Sequence, residues 1–168
     1  EETDDRIVVA AACLHDSVAE ANDRPQRLLG SRLAADAAAE FLATIAYPGD
    51  LLAEVRHAIE AHSYSAGIPV RSAEAAVVQD ADRLDSLGAI GIARCLLVGG
   101  RLDRPLLDPE DPFCDERTPD DGRYTLDHFY SKLLGLPDTM QTAAGRAEAQ
   151  RRADLRRRYH DDLRTEGL

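Results

Sequence analysis

An all-α fold is predicted by three features of this 168-residue sequence. Alanine is used heavily, aromatic residues make up only 5% with no Trp, and apolar positions recur at helical spacing. Small and unbranched side chains favour closely packed helices over a sandwich of β-branched and aromatic strands. The length suits one compact domain, residues 1–168, with a core of its own.

Each element has a local reason. Asp4 to Glu20 contains the continuous apolar run Ile7–Leu14, which predicts a mostly buried helix ending in His15 and Asp16. Ser31 is a cap for a second helix, RLAADAAAEFLATIAY, which Pro48-Gly49 stops. Asp50 can cap a third, LLAEVRHAIEAHSYS. On it Leu52, Val55, Ile59 and His62 share an inward face, whereas His57 points away beside Arg56 and Glu60. Ser72 then caps one long helix, AEAAVVQDADRLDSLGAIGIARCLLV, closed by Gly99-Gly100. From Arg101 to Arg123, four prolines and eight acidic residues exclude a regular element, leaving a long loop that is either solvated surface or a lid. A short helix, LDHFYSKLLGL, follows up to Gly135 and Pro137, with His128 anchored by Asp127. An Arg-rich, exposed helix runs from about Thr139 to Arg164.

A net charge of −11 and a pI near 4.8 argue against duplex nucleic acid and anionic membranes as partners. They do not argue against a small phosphorylated ligand, because a bound cation reverses the local sign. Cys13, Cys95 and Cys114 are odd in number and lack a CxxC pair, so neither a disulfide framework nor a thiolate zinc site is expected, and the cytoplasm is the expected compartment. Met140 is the sole methionine, from which further residues are expected ahead of Glu1.

The chemistry concentrates at two places. An imidazole and a carboxylate at the end of an apolar helix are costly to bury unless paired, and a divalent metal is one partner able to hold both; a packed core histidine beside a capping aspartate is the alternative. The neighbouring helix must then supply another ligand. VVQDADRLDSLGAIGIAR offers Asp80, Asp82 and Asp85 in an otherwise apolar segment, with Asp82 and Asp85 on one face. Imidazole with carboxylates and no thiolate suits Mn²⁺, Mg²⁺, Fe²⁺, Ni²⁺ or Zn²⁺ without distinguishing them. His62 is either a satisfied core histidine or a group that touches substrate.

LHD followed by QDADRLD, together with AIEAHSYSAG, EDPFCDERTPDDGRYTLDHFYSKLL and LPDTMQTAAGR, resembles the HD-domain metal-dependent phosphohydrolases, specifically a bacterial subgroup of small stand-alone enzymes. The likeness runs from Ile7 to Arg146. It implies a helical fold and a metal held by an upstream His, the doublet His15-Asp16, and Asp82. No His occurs in residues 1–14, so the first of these is expected ahead of Asp4. The resemblance further implies hydrolysis at phosphorus in a small phosphorylated molecule, a nucleotide by expectation. Asp16 and His62 then fall to catalysis, and Arg83, Arg94 and Lys132, the only lysine, fall to the phosphate oxygens. A catalytically silent scaffold that senses a nucleotide or a protein partner is the competing expectation. Nothing resembles the Gly-Tyr-Pro signature of cyclic-dinucleotide phosphodiesterases.

Overall fold

The computed structural model describes residues 2–18 and 24–166. Among them helices and turns are the only regular elements, in agreement with the all-α expectation. The chain divides into two compact units, residues 1–82 and 83–168, each with its own apolar core.

The first unit holds α1 (Asp5–Leu14), α2 (Arg24–Thr44), α3 (Leu52–His62) and most of α4 (Ala73–Asp85). Asp4 caps α1 by accepting the Arg6 N–H at 2.9 Å, and its own N–H reaches Glu74 of α4 at 3.1 Å. The core joins Ile7 and Ala11 of α1 to Ala34, Ala35, Ala38 and Leu42 of α2, Val55, Ala58 and Ile59 of α3, and Ala75 and Val78 of α4. Alanines at these positions let the helix backbones approach closely. α1 is less enclosed than its apolar run predicts: only Ile7 and Ala11 are buried, and Val9 is 59% exposed. The helix turns one face to the core, so an uninterrupted apolar run does not require burial all round. The predicted end of this helix at Glu20 lies outside the described residues.

Two starts differ from expectation. α2 begins at Arg24, with Pro25 in its first turn, so Ser31 is buried inside the helix rather than capping it. Asp50 sits within a 3₁₀ turn, Gly49–Leu51, that leads into α3, and it makes no capping bond. Ser72 does cap α4, accepting the Ala75 N–H at 3.2 Å.

The expected long helix is broken. α4 stops at Asp85 and α5 runs Gly88–Arg101, because Leu87 is extended and Gly88 adopts φ +66°, a left-handed conformation that favours glycine. Conversely, Gly99-Gly100 does not end α5, which continues to Arg101. Gly99 has a packing role: a Cβ there would lie 2.2 Å from Oγ1 and 2.5 Å from Cγ2 of Thr125, a short side chain that is itself buried. Gly99→Ala should therefore lower stability by about 1–3 kcal/mol, measurable as a drop in the denaturant midpoint at unchanged slope.

The remainder of the second unit is the acidic segment, a π-helical turn (Phe129–Leu133), a 3₁₀ turn (Leu136–Thr139) and α6 (Ala143–Thr165), capped by Thr142. The acidic segment is folded into this unit. Leu126 and Thr125 donate to the carbonyls of Leu106 and Pro105 at 2.9 and 3.0 Å, and the Asp111 carboxylate accepts the N–H groups of Asp115, Glu116 and Arg117. Its acidic residues thus satisfy backbone donors that no helix or strand serves. Asp127, fully buried, does not anchor His128; it binds the Arg117 guanidinium through both oxygens at 2.5 and 2.7 Å and accepts the Asp120 N–H at 2.6 Å. His128 is held by Asp121 instead, at 2.9 Å. α6 is not wholly exposed, since Ala149, Ala153 and Arg156 are buried, and burial lowers the Arg156 guanidinium to about 10.

Candidate metal centre

In the first unit, three elements bring together four groups that the sequence marked. His15 and Asp16 lie at the end of α1, His62 is the last residue of α3, and Asp82 lies on the last turn of α4. His15 Nε2 is 3.5 Å from Asp16 Oδ2 and 3.8 Å from Asp82 Oδ1, while His62 Nε2 is 3.8 Å from Asp16 Oδ1. The imidazole rings of His15 and His62 meet edge to face, 4.8 Å between centroids. Single ligand atoms of His15, Asp16 and His62 all lie within 4.8 Å of one another.

The two histidines are prepared alike. His15 Nδ1 lies 2.8 Å from the Ala12 carbonyl and His62 Nδ1 lies 2.5 Å from the Ile59 carbonyl, each three residues back in its own helix. A carbonyl only accepts, so each Nδ1 carries a proton and each Nε2 is the ring atom turned toward the carboxylates. This tautomer is the one needed to bind a metal through Nε2. The spacings suit a shared ion as well. Ligands at about 2.1 Å stand about 3.0 Å apart when adjacent around an octahedral centre and about 4.2 Å when opposite; the three contacts of 3.5–3.8 Å fall in that range, and the 4.8 Å span of the His15, Asp16 and His62 ligand atoms must close slightly around an ion. Burial is graded across the group: His62 is buried, His15 and Asp82 are partly covered, and Asp16 is 77% exposed, leaving one side open to a ligand.

Gln79, noted in the sequence only as part of QDADRLD, holds two of these helices together. It is buried, one turn before Asp82, and its Nε2 donates at 2.5 Å to the carbonyl of Ala61, the neighbour of His62. A glutamine inside an apolar helical stretch is the signal that could have singled it out.

His57 departs from expectation. It is buried on α3, where its Nε2 accepts the Arg71 N–H at 3.1 Å, and burial followed by the Arg71 charge lowers its pKa. α3 buries residues around most of its circumference, so the outward side inferred from Arg56 and Glu60 is narrow. It is a structural, neutral histidine.

The other marked residues belong to the second unit or stand apart from this cluster. Asp80 is buried. Arg83 donates to the Thr139 carbonyl at 2.5 Å, exposed Arg94 pairs with Asp85 at 3.4 Å, and Lys132 lies in the π-helical turn. Burial raises the thiols of Cys95 and Cys114 to about 11, so neither is a thiolate at neutral pH. No helix among the described residues is long and apolar enough to cross a membrane.

Comparison with known proteins identifies relatives of this sequence and fold. YpgQ of Bacillus subtilis is 40% identical over 81 residues, 48% of this chain and 34% of YpgQ, so that alignment spans about a third of the relative's length. The crystal structure of YpgQ in complex with ADP superimposes with a TM-score of 0.72 at 31% identity, covering 95% of this chain and 73% of that one. An HD-superfamily hydrolase from Bacillus thuringiensis superimposes with a TM-score of 0.61 at 28% identity, covering 96% and 82%. A family model described as the HD domain matches residues 1–87, a segment that contains all four clustered residues. The chain belongs to the HD-domain family.

Proposed function

We propose that this protein is a metal-dependent phosphohydrolase acting on a small phosphorylated molecule, in first place a nucleotide. The observation that carries the reading is the partly open cluster of His15, Asp16 and His62 ligand atoms from α1 and α3, with the Asp82 carboxylate of α4 3.8 Å from His15 Nε2. His15, Asp16 and Asp82 would hold a divalent cation, with His62 facing it from α3. Such an ion supplies polarisation of a phosphoryl oxygen and a water acidic enough to be deprotonated near neutral pH.

The chain's own groups have separate tasks. The Ala12 and Ile59 carbonyls keep both imidazoles in the tautomer that exposes Nε2. Asp16, mostly exposed, has oxygen available to accept a hydrogen bond from the attacking water and so orient it toward phosphorus. Arg83, Arg94 and Lys132 remain the proposed donors to phosphate oxygens. Lys132 has support from its setting, since π-helical turns recur at functional sites. The complex of YpgQ with ADP supports a nucleotide as the ligand class.

The test is a screen of nucleoside mono-, di- and triphosphates for phosphate or pyrophosphate release with added Mn²⁺, Mg²⁺ or Ni²⁺. Turnover that requires the metal and disappears on chelation is expected. Metal-dependent nucleotide binding without turnover of any of them would favour the silent scaffold over the enzyme.

A further inference from the structure

Residues 63–72 lead from His62, the end of α3, to the start of α4 without a regular element. Ile68 and Val70 rest partly on the core of the first unit. The connection is also tied to α3 by a hydrogen bond to a buried ring, in which the Arg71 N–H donates to His57 Nε2 at 3.1 Å. His57 is only 6% exposed, so water does not replace that acceptor or donor while the chain stays in place. The Arg71 residue is exposed, and its Nη2 lies 3.2 Å from His57 Nδ1.

The ring can hold this bond in one charge state only. A neutral imidazole has a single acceptor nitrogen, so with Nε2 accepting, the proton sits on Nδ1. A second proton removes the acceptor, turns an N–H toward the Arg71 N–H and sets a second cation beside the guanidinium. The guanidinium can swing into water, because Arg71 is exposed. Its backbone N–H can escape only if the connection moves. Arg71 opposes protonation of the ring, whereas Glu54 and Glu60, on α3 itself, favour it. α1 and α2 also pack on α3, and among the described residues neither brings a charge to bear on His57; Asp36 of α2 is taken up by Arg56 at 2.6 Å. Burial and Arg71 together outweigh the two glutamates, so His57 protonates below the ordinary histidine value.

We propose that His57 is an acid-released latch: neutral, it fastens residues 63–72 to α3 through the Arg71 N–H, and charged, it lets that connection go. The latch is independent of the proposed hydrolysis. With the connection released, His57 meets water and titrates near its ordinary 6.5; with the connection fastened it titrates lower. The latch is therefore at full strength above about pH 6.5 and weakens as pH falls from there through the fastened value.

Hydrogen exchange of the Arg71 amide in the whole chain, between about pH 5 and about pH 7.5 and corrected for the intrinsic pH dependence of exchange, tests it. Protection should be constant above about pH 7 and fall below about pH 6.5, by up to about tenfold per pH unit, until the fastened ring is charged as well. His57→Gln keeps an acceptor near the Nε2 position but takes up no proton, so its Arg71 amide should be equally protected across the range. Each protein is compared with itself at different pH, so an overall loss of stability in the variant does not blur the result. Nitrogen NMR of the His57 ring in the native chain gives a second reading, with an acceptor Nε2 and a midpoint below 6.5 expected. Protection of the native Arg71 amide that stays flat into acid would overturn the proposal. So would an equal decline in His57→Gln, or a His57 ring that titrates at 6.5 or above.

Discussion

Replacing His15 or Asp82 with alanine should cost at least about a hundredfold in both divalent-metal affinity and hydrolysis, with little change in the helical content of the protein. Both side chains are only partly covered, and neither belongs to the apolar core of the first unit. Their removal therefore withdraws ligands without opening a large cavity. Elemental analysis after gel filtration reads the metal, and released phosphate reads the reaction. His57→Ala provides the contrast: this histidine lies outside the cluster, so its loss should lower stability and leave metal affinity intact. Undiminished turnover in His15→Ala or Asp82→Ala would end the proposed mechanism.

The largest effect on stability is expected in the second unit, at Asp127. Its carboxylate is fully buried and receives two bonds from Arg117 and one from a backbone N–H, so Asp127→Ala strands a guanidinium and several donors at once. Breaking such a pair from one side costs about 3–5 kcal/mol. Arg117 keeps some solvent contact, which places the expected loss near 3 kcal/mol. The pH dependence has a definite sign. Burial alone would raise the Asp127 carboxyl, but Arg117 and the Asp120 N–H outweigh it and hold the pKa below the usual carboxylate value. A depressed folded pKa stabilises fully above the unfolded value of about 4, and the contribution is lost as pH falls through the folded one. The stability difference between native protein and Asp127→Asn should thus be constant at neutral pH and shrink below about pH 4. A difference that stayed flat into strong acid would show that the charge on Asp127 contributes nothing.

What could be read from the sequence follows from how local each cause is. The helical class is local, set by residue types and periodicity. The cluster was legible in part for the same reason. An imidazole and a carboxylate closing an apolar helix, and an aspartate within an apolar segment, are anomalies against the hydrophobic pattern, and these anomalies meet in space. Sequence and structure part where long-range packing decides. Gly88 and Gly99 look alike in sequence, yet one breaks a helix through its left-handed backbone while the other admits Thr125 against a continuous one. The charged neighbours of His57 suggest an outward side chain, although α3 is enclosed on most sides. Adjacency in sequence pairs Asp127 with His128, whereas its partner, Arg117, is ten residues away along an irregular path. The apolar face of α1 reads as buried because periodicity reports composition around a helix, not what covers it.

In the proposed centre one divalent ion is shared by α1, α3 and α4, and proton NMR of the histidine rings during Mn²⁺ titration tests this sharing most directly. The five histidines supply five sets of ring signals. Broadening of His15 and His62 together at substoichiometric Mn²⁺, ahead of His57, His128 and His160 and abolished in Asp82→Ala, is the expected result. Signals of His15 and His62 that are unmoved by one equivalent of the ion, or broadening that begins at another histidine, would contradict the account.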